Sequence, residues 1–149
     1  LVPQGFAATP LMRLRFVAVA APSHPLHALG RQLTLQDLRH HRQLVIRDSG
    51  TGRRHDAGWL GAEQRWTVTS KATSIRAACM GLGFAWYPEN LVQDELAGGT
   101  LKPLDLREGA QRFADLYLVF PDPDYLGPGA QRLAELLQAR VTRTAPPTA

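Results

Sequence analysis

The chain holds a single cysteine, Cys79, in 149 residues. That count excludes an internal disulfide and a zinc site of the paired-cysteine kind, and it points to a reducing compartment. Charge is sparse too, at 20% of residues, with 17 Lys and Arg against 13 Asp and Glu and a formal net charge of +4. A polycationic nucleic-acid tail and an acidic solvating segment are both excluded, although the mildly basic balance favours anionic partners. Long hydrophobic runs are also missing. The apolar stretch from Phe16 to Ala21 stops at Pro22, well short of the roughly 20 residues a membrane helix needs. No signal peptide opens the chain, so a soluble, cytoplasmic protein with no membrane partner is expected. What is present is a hydrophobic content of 44%, enough for a folded domain rather than a disordered chain.

The segment Arg13-Leu14-Arg15-Phe16-Val17-Ala18-Val19-Ala20-Ala21 begins with alternation and ends continuously apolar, as a strand covered on both faces does. Thr34 then stands as an N-cap before a short helix at 35–39, and Leu44-Val45-Ile46 reads as a second strand. Residues 47–61 lack periodicity and read as a loop, with a helical turn toward Trp59 and Leu60. A third strand at 66–69 runs into Ser70, and the following helix sets Ile75, Ala78, Cys79 and Leu82 on one face and turns Arg76, Ala77 and Met80 outward. Gly81 and Gly83 close that helix. Phe84-Ala85-Trp86-Tyr87 is a fourth strand stopped by Pro88, and residues 89–96 form a helix ended by Gly98-Gly99. Strands at 101–104 and 116–120 follow, then an amphipathic helix marked by Leu133, Leu136, Leu137 and Val141, and a loose tail at 142–149. Strands alternating with helices over short connections predict an α/β fold with a largely parallel sheet, whose ligands bind at the C-terminal ends of the strands.

Catalytic and metal chemistry find little support. His24 and His27 are separated by Pro25, which breaks the helix their spacing needs, and His40-His41 suits the solvated end of a short helix. Ser49 lacks a nucleophile elbow and Cys79 falls on an apolar helix face, so neither an enzyme nor a metal or cofactor site is expected. The loop Arg47-Asp48-Ser49-Gly50-Thr51-Gly52-Arg53-Arg54-His55 combines two glycines, two hydroxyls and three arginines directly after a strand. These are the components of an anion site, or of a solvated basic loop. Ser70-Lys71-Ala72-Thr73 opens a helix whose free N–H groups suit a carboxylate, with plain capping by Ser70 compatible with that role. Trp86 and Tyr87 at a strand's end suit either the wall of a small-molecule pocket or core packing.

Ser23-His24-Pro25-Leu26, Leu35-Gln36-Asp37-Leu38 with Leu44-Val45-Ile46, and above all Ala77-Ala78-Cys79-Met80-Gly81-Leu82-Gly83-Phe84-Ala85-Trp86-Tyr87-Pro88 resemble the effector-binding domain of LysR-type transcriptional regulators. The order and spacing of Leu91 to Leu104 and of the closing strand and helix are similar, so the likeness runs from about Pro10 to Leu137. The resemblance implies a fold like type II periplasmic binding proteins, two α/β lobes joined by crossing strands with a small-molecule cleft between them. It assigns residues 1–21 to a remnant of the first lobe and its crossing strand, 22–115 to a complete second lobe, and 116–141 to the return strand and terminal helix of the first. A winged helix-turn-helix and most of a first lobe would precede Leu1, so DNA binding is expected only through a domain outside these residues, and homo-oligomerisation only in the longer protein. The family's effector contacts from this lobe fall on Arg47, Asp48 and Ser49, on Lys71 and Thr73, and on Tyr87 and Pro88, with Arg15 as a further position that can face the ligand.

Three functions follow in order. The first is a non-catalytic domain that senses a small, anionic metabolite to control transcription. The second is a fragment of a periplasmic-type solute-binding protein, and the third an enzyme on a related cleft.

Overall fold

The computed structural model describes residues 5–47, 59–121, 124 and 126–144. Its elements run β1 (Ala7–Ala20), α1 (Leu35–Arg39), β2 (Gln43–Ile46), β3 (Arg65–Val68), α2 (Lys71–Cys79), β4 (Ala85–Pro88), α3 (Gln93–Gly98), β5 (Lys102–Pro103), β6 (Gln111–Phe120) and α4 (Pro128–Thr144), with 3-10 turns at Pro25–Leu29 and Glu89–Leu91. The chain divides into two compact units, Leu1–Leu14 with Phe113–Ala149, and Arg15–Arg112.

In the second unit, the apolar half of β1 organises the core. Period-two alternation sends Val17 and Val19 to one face and Ala18 and Ala20 to the other, and all four are buried. Ala18 and Ala20 join a cluster with Leu26, Leu33, Leu38, Ala62, Phe84, Leu104 and Leu106. Val17 and Val19 join a second cluster with Leu44, Ala78, Ala85, Tyr87, Val92 and Leu101. β4 pairs antiparallel with β1 in the register Phe16↔Pro88 to Val19↔Ala85, and β5 pairs antiparallel with β1 at Val19↔Pro103 and Ala20↔Lys102. β2 and β3 pair parallel, and a parallel bridge Gln43↔Phe84 links β2 to β4. The strands thus form a four-stranded sheet, in which β4 and β5 flank β1 and β6 also pairs with β1, and a separate two-stranded parallel sheet of β2 and β3, rather than one largely parallel sheet. The hydrophobic pattern of a strand is the same whichever way its neighbour runs, so the sequence carries no sign of the reversal at β1.

Two short motifs have local physical causes. Gly81 closes α2 in the left-handed region at φ +79, and a Cβ on Gly83 would lie 2.6 Å from the Arg42 carbonyl oxygen and 3.0 Å from Leu44 Cγ. The glycine pair thus ends a helix and lets β4 approach β2 closely. His24 caps the turn at Pro25–Leu29, its Nδ1 accepting the Leu26 N–H at 3.1 Å, while its ring lies 5.3 Å from that of His41. α1 is closed by a capping box in which Thr34 and Asp37 bond each other's backbone, with Arg31 on the Asp37 carboxylate at 2.7 Å.

Several segments depart from expectation. β1 begins at Ala7 and β6 at Gln111, both well before the strands read from sequence, and β4 includes Pro88 instead of stopping before it. Residues 89–96 form a 3-10 turn and then α3, separated at Val92. Trp59 and Leu60 carry no helical turn; instead the Trp59 ring packs 6.3 Å from Phe84 and 6.0 Å from Trp86. α4 continues past Val141 to Thr144. In the first unit, β6 pairs with β1, and the Arg13 guanidinium lies over the Phe113 ring and 3.6 Å from Asp115. Leu133, Leu136 and Leu137 of α4 are exposed.

Gly83→Ala is expected to destabilise the fold by about 1–3 kcal/mol in chemical denaturation, because the backbone carbonyl of Arg42 cannot yield to a methyl group. Gly98→Ala, whose Cβ would meet nothing within 4 Å, is the control and should be neutral or mildly stabilising. A second expectation concerns pH. Burial pushes His24 down to about 4, with His41 and His27 adding repulsion, and burial also lowers His41. The unfolded chain therefore binds more protons between pH 6.5 and 4, so the stability that rests on a neutral His24 is present above pH 6.5 and lost as pH falls through that window. His24→Asn keeps a capping acceptor and should flatten the pH dependence of the melting temperature over that range.

Candidate functional site

Because β2, β3 and β4 run in one direction, their C-terminal ends lie on one edge, and the antiparallel β1 brings Arg15 and Phe16 to that same edge. The edge crosses from the four-stranded sheet to the β2–β3 pair at the single parallel bridge Gln43↔Phe84. Arg47 follows β2, exposed, with its N–H on the Val68 carbonyl at 2.8 Å. The chain leaves β3 through Thr69 and turns at once into α2, so the first turn of that helix opens on the edge. Ser70 Oγ accepts the Thr73 N–H at 3.3 Å and the Ser70 carbonyl accepts the Ser74 N–H at 3.1 Å. Capping thus uses the third N–H and leaves those of Lys71 and Ala72 without an intrahelical acceptor at the positive end of the helix dipole. Lys71 and Thr73 are exposed.

The structure brings Arg15, Arg47, Lys71, Thr73 and Pro88 to this one edge. Asp48 and Ser49, and the rest of the glycine- and arginine-rich loop to Gly58, lie outside the described residues. Tyr87 belongs elsewhere. Alternation along β4 turns it under α2 with Ala85, where it is fully buried in the second cluster and its hydroxyl meets Ser74 Oγ at 2.7 Å. Burial pushes its phenol up to about 12. Tyr87 anchors α2 to the sheet rather than presenting its ring at the surface. Trp86 points to the opposite face, its Nε1 donating to the Gly109 carbonyl at 2.8 Å and Arg112 lying over its ring at 4.5 Å. On α2, Met80 and Arg76 are exposed, but Ala77, expected to face outward, packs against the second cluster with Ile75 and Cys79.

One residue of the edge escapes sequence reasoning. Glu89, directly after β4, takes the Arg15 guanidinium in a two-pronged pair, Nε donating to Oε2 at 2.6 Å and Nη2 to Oε1. That bond is the main influence raising the Arg15 pKa above its usual value. The partners are 74 positions apart, and without the β1 and β4 register nothing in the sequence joins them.

Among the described residues, no cluster of three or more His, Cys, Asp or Glu side chains is arranged to hold a metal ion, and no helix is long and apolar enough to cross a membrane. A depression of about 280 Å³ lies away from this edge, lined by Thr34, Leu35, Gln36, Arg107 and Glu108.

Comparison with known proteins agrees with the fold. Residues 1–142 match the family model of the LysR substrate binding domain, and the chain belongs to that family. It is thus an effector-binding regulatory domain of the LysR type, with the α/β architecture of periplasmic binding proteins. The regulatory domain of MetR, a LysR family regulator from Neisseria meningitidis, superposes with a TM-score of 0.73 at 17% identity, over 97% of this chain and 68% of that one. Full-length LysG from Corynebacterium glutamicum gives 0.71 at 20% identity, over 96% of this chain and 48% of its own. The Synechocystis CcmR regulatory domain in complex with 2-PG gives 0.67 at 20% identity, over 93% and 68%. No curated protein sequence matches the chain.

The buried hydroxyl pair generates a sharp expectation. Tyr87→Phe strands the Ser74 hydroxyl in an apolar cluster and should cost about 1–3 kcal/mol in urea denaturation. The double variant Ser74→Ala, Tyr87→Phe should recover most of that loss, since neither partner is then left unpaired.

Proposed function

We propose that this chain senses a small anionic metabolite at the edge formed by the ends of β2 and β3, the first turn of α2 and the Arg15 end of the β1 segment, and that binding there controls transcription. The observation that carries this reading is the placement of Arg15, Arg47 and Lys71, with uncommitted helix N–H groups, at strand ends on the same side of the β strands. Fixed donors of this kind favour a carboxylate or phosphate over a neutral ligand, and the hydroxyl of Thr73 adds a further polar contact. The CcmR regulatory domain, of the same fold, binds 2-PG, which supports a small-molecule role for this one. Pro88, Asp48 and Ser49 complete the proposed contact set.

In this reading the domain is not an enzyme. The ligand acts by its different affinity for alternative arrangements of the regulator, and it shifts their populations by no more than that difference. DNA is reached through a helix-turn-helix domain of the longer, homo-oligomeric cytoplasmic protein. Membership of the LysR family favours this role over that of a solute-binding fragment.

A thermal-shift screen of small carboxylates and phosphates tests the proposal. A true effector at 100 times its Kd stabilises by about 2.7 kcal/mol. For such a ligand, Lys71→Met or Arg47→Met should weaken binding by about 10- to 100-fold in titration calorimetry, the scale of a charge-assisted hydrogen bond. Unchanged affinity in both variants would place the effector elsewhere.

A further inference from the structure

We propose that Glu89 is an internal competitor for the effector: its carboxylate occupies Arg15 in the way an incoming acid group does, and an anionic ligand binds by taking Arg15 over from it. This rests on reading the edge as the effector site. Arg15 lies one step beyond the last register pair of β1 and β4, Phe16↔Pro88, and Glu89 one step beyond it on the other strand, so the two side chains share a face. Both carboxylate oxygens of Glu89 are used, by Nε and Nη2. This is the fork by which a guanidinium grips any free carboxylate or phosphate. Glu89 therefore sets one negative charge among the cations of the edge, where it mimics the ligand class the edge is built to receive.

The pair is also placed for exchange. Its side chains retain 42% and 35% of their exposure, so a dissolved anion can reach the guanidinium. A partly exposed pair is worth little net free energy, whereas a deeply buried one would be costly to break from one side. Glu89 opens a 3-10 turn beyond the ladder, so its side chain can swing away without loss of a strand hydrogen bond. A competitor of this kind weakens every anion somewhat, and it favours ligands whose acid group can match the two-pronged grip.

Titration calorimetry of the 149-residue chain at fixed ionic strength, with succinate and inorganic phosphate as probes, decides the matter. Glu89→Gln should tighten the probe that binds by about three- to fivefold, the scale of a partly exposed ion pair. In an Arg15→Met background the same change should have no effect. If the gain persists there, simple removal of a negative charge explains it and the competitor is overturned. If Glu89→Gln binds as the unaltered protein does while Lys71→Met still weakens the probe, the competitor fails and the effector edge stands. If neither probe binds any of these proteins, the edge reading fails and takes the competitor with it.

Discussion

The double burial of β1 from Val17 to Ala20 is the constraint on which the second unit depends. A strand covered on both faces must satisfy its backbone through neighbouring strands and its side chains through two separate cores, and here each alternate residue serves a different one. Valine fills the side beneath α2, and alanine fills the side where the Phe84, Trp59 and Trp86 rings already supply bulk. Substituting large for small between the two faces would overfill one cluster and hollow the other.

From that arrangement the position of α2 follows, and with it the candidate site. The helix is held over the sheet by Ala78, by partly buried Ile75, Ala77 and Cys79, and by a hydrogen bond between Ser74 and Tyr87. Ser74 lies one turn below Ser70, so tying it to β4 also fixes where the free N–H groups of the first turn point. A buried tyrosine thus bears on the candidate site through geometry. Gly83 acts similarly: its missing side chain lets β4 close on β2, and only with those strands adjacent do Arg47 and Pro88 share an edge.

The structural relatives share this architecture at 16 to 20% identity. In the first unit, Phe113, Tyr117 and Val119 of β6 and Leu133, Leu136 and Leu137 of α4 are exposed apolar residues.

Read alone, the residues determined the family likeness, the two-sided burial of β1, the caps at Thr34 and Ser70, and the cationic character of the positions after β2 and at the start of α2. Each of these is written locally, in periodicity, in a capping side chain or in charge. Strand direction, the departure of Tyr87 into the core and the Arg15 to Glu89 pair were decided only in three dimensions. Alternation fixes that neighbouring residues of β4 face opposite ways, but which face meets α2 depends on what packs there. A pairing across 74 positions depends on the register of two strands, which no residue encodes by itself.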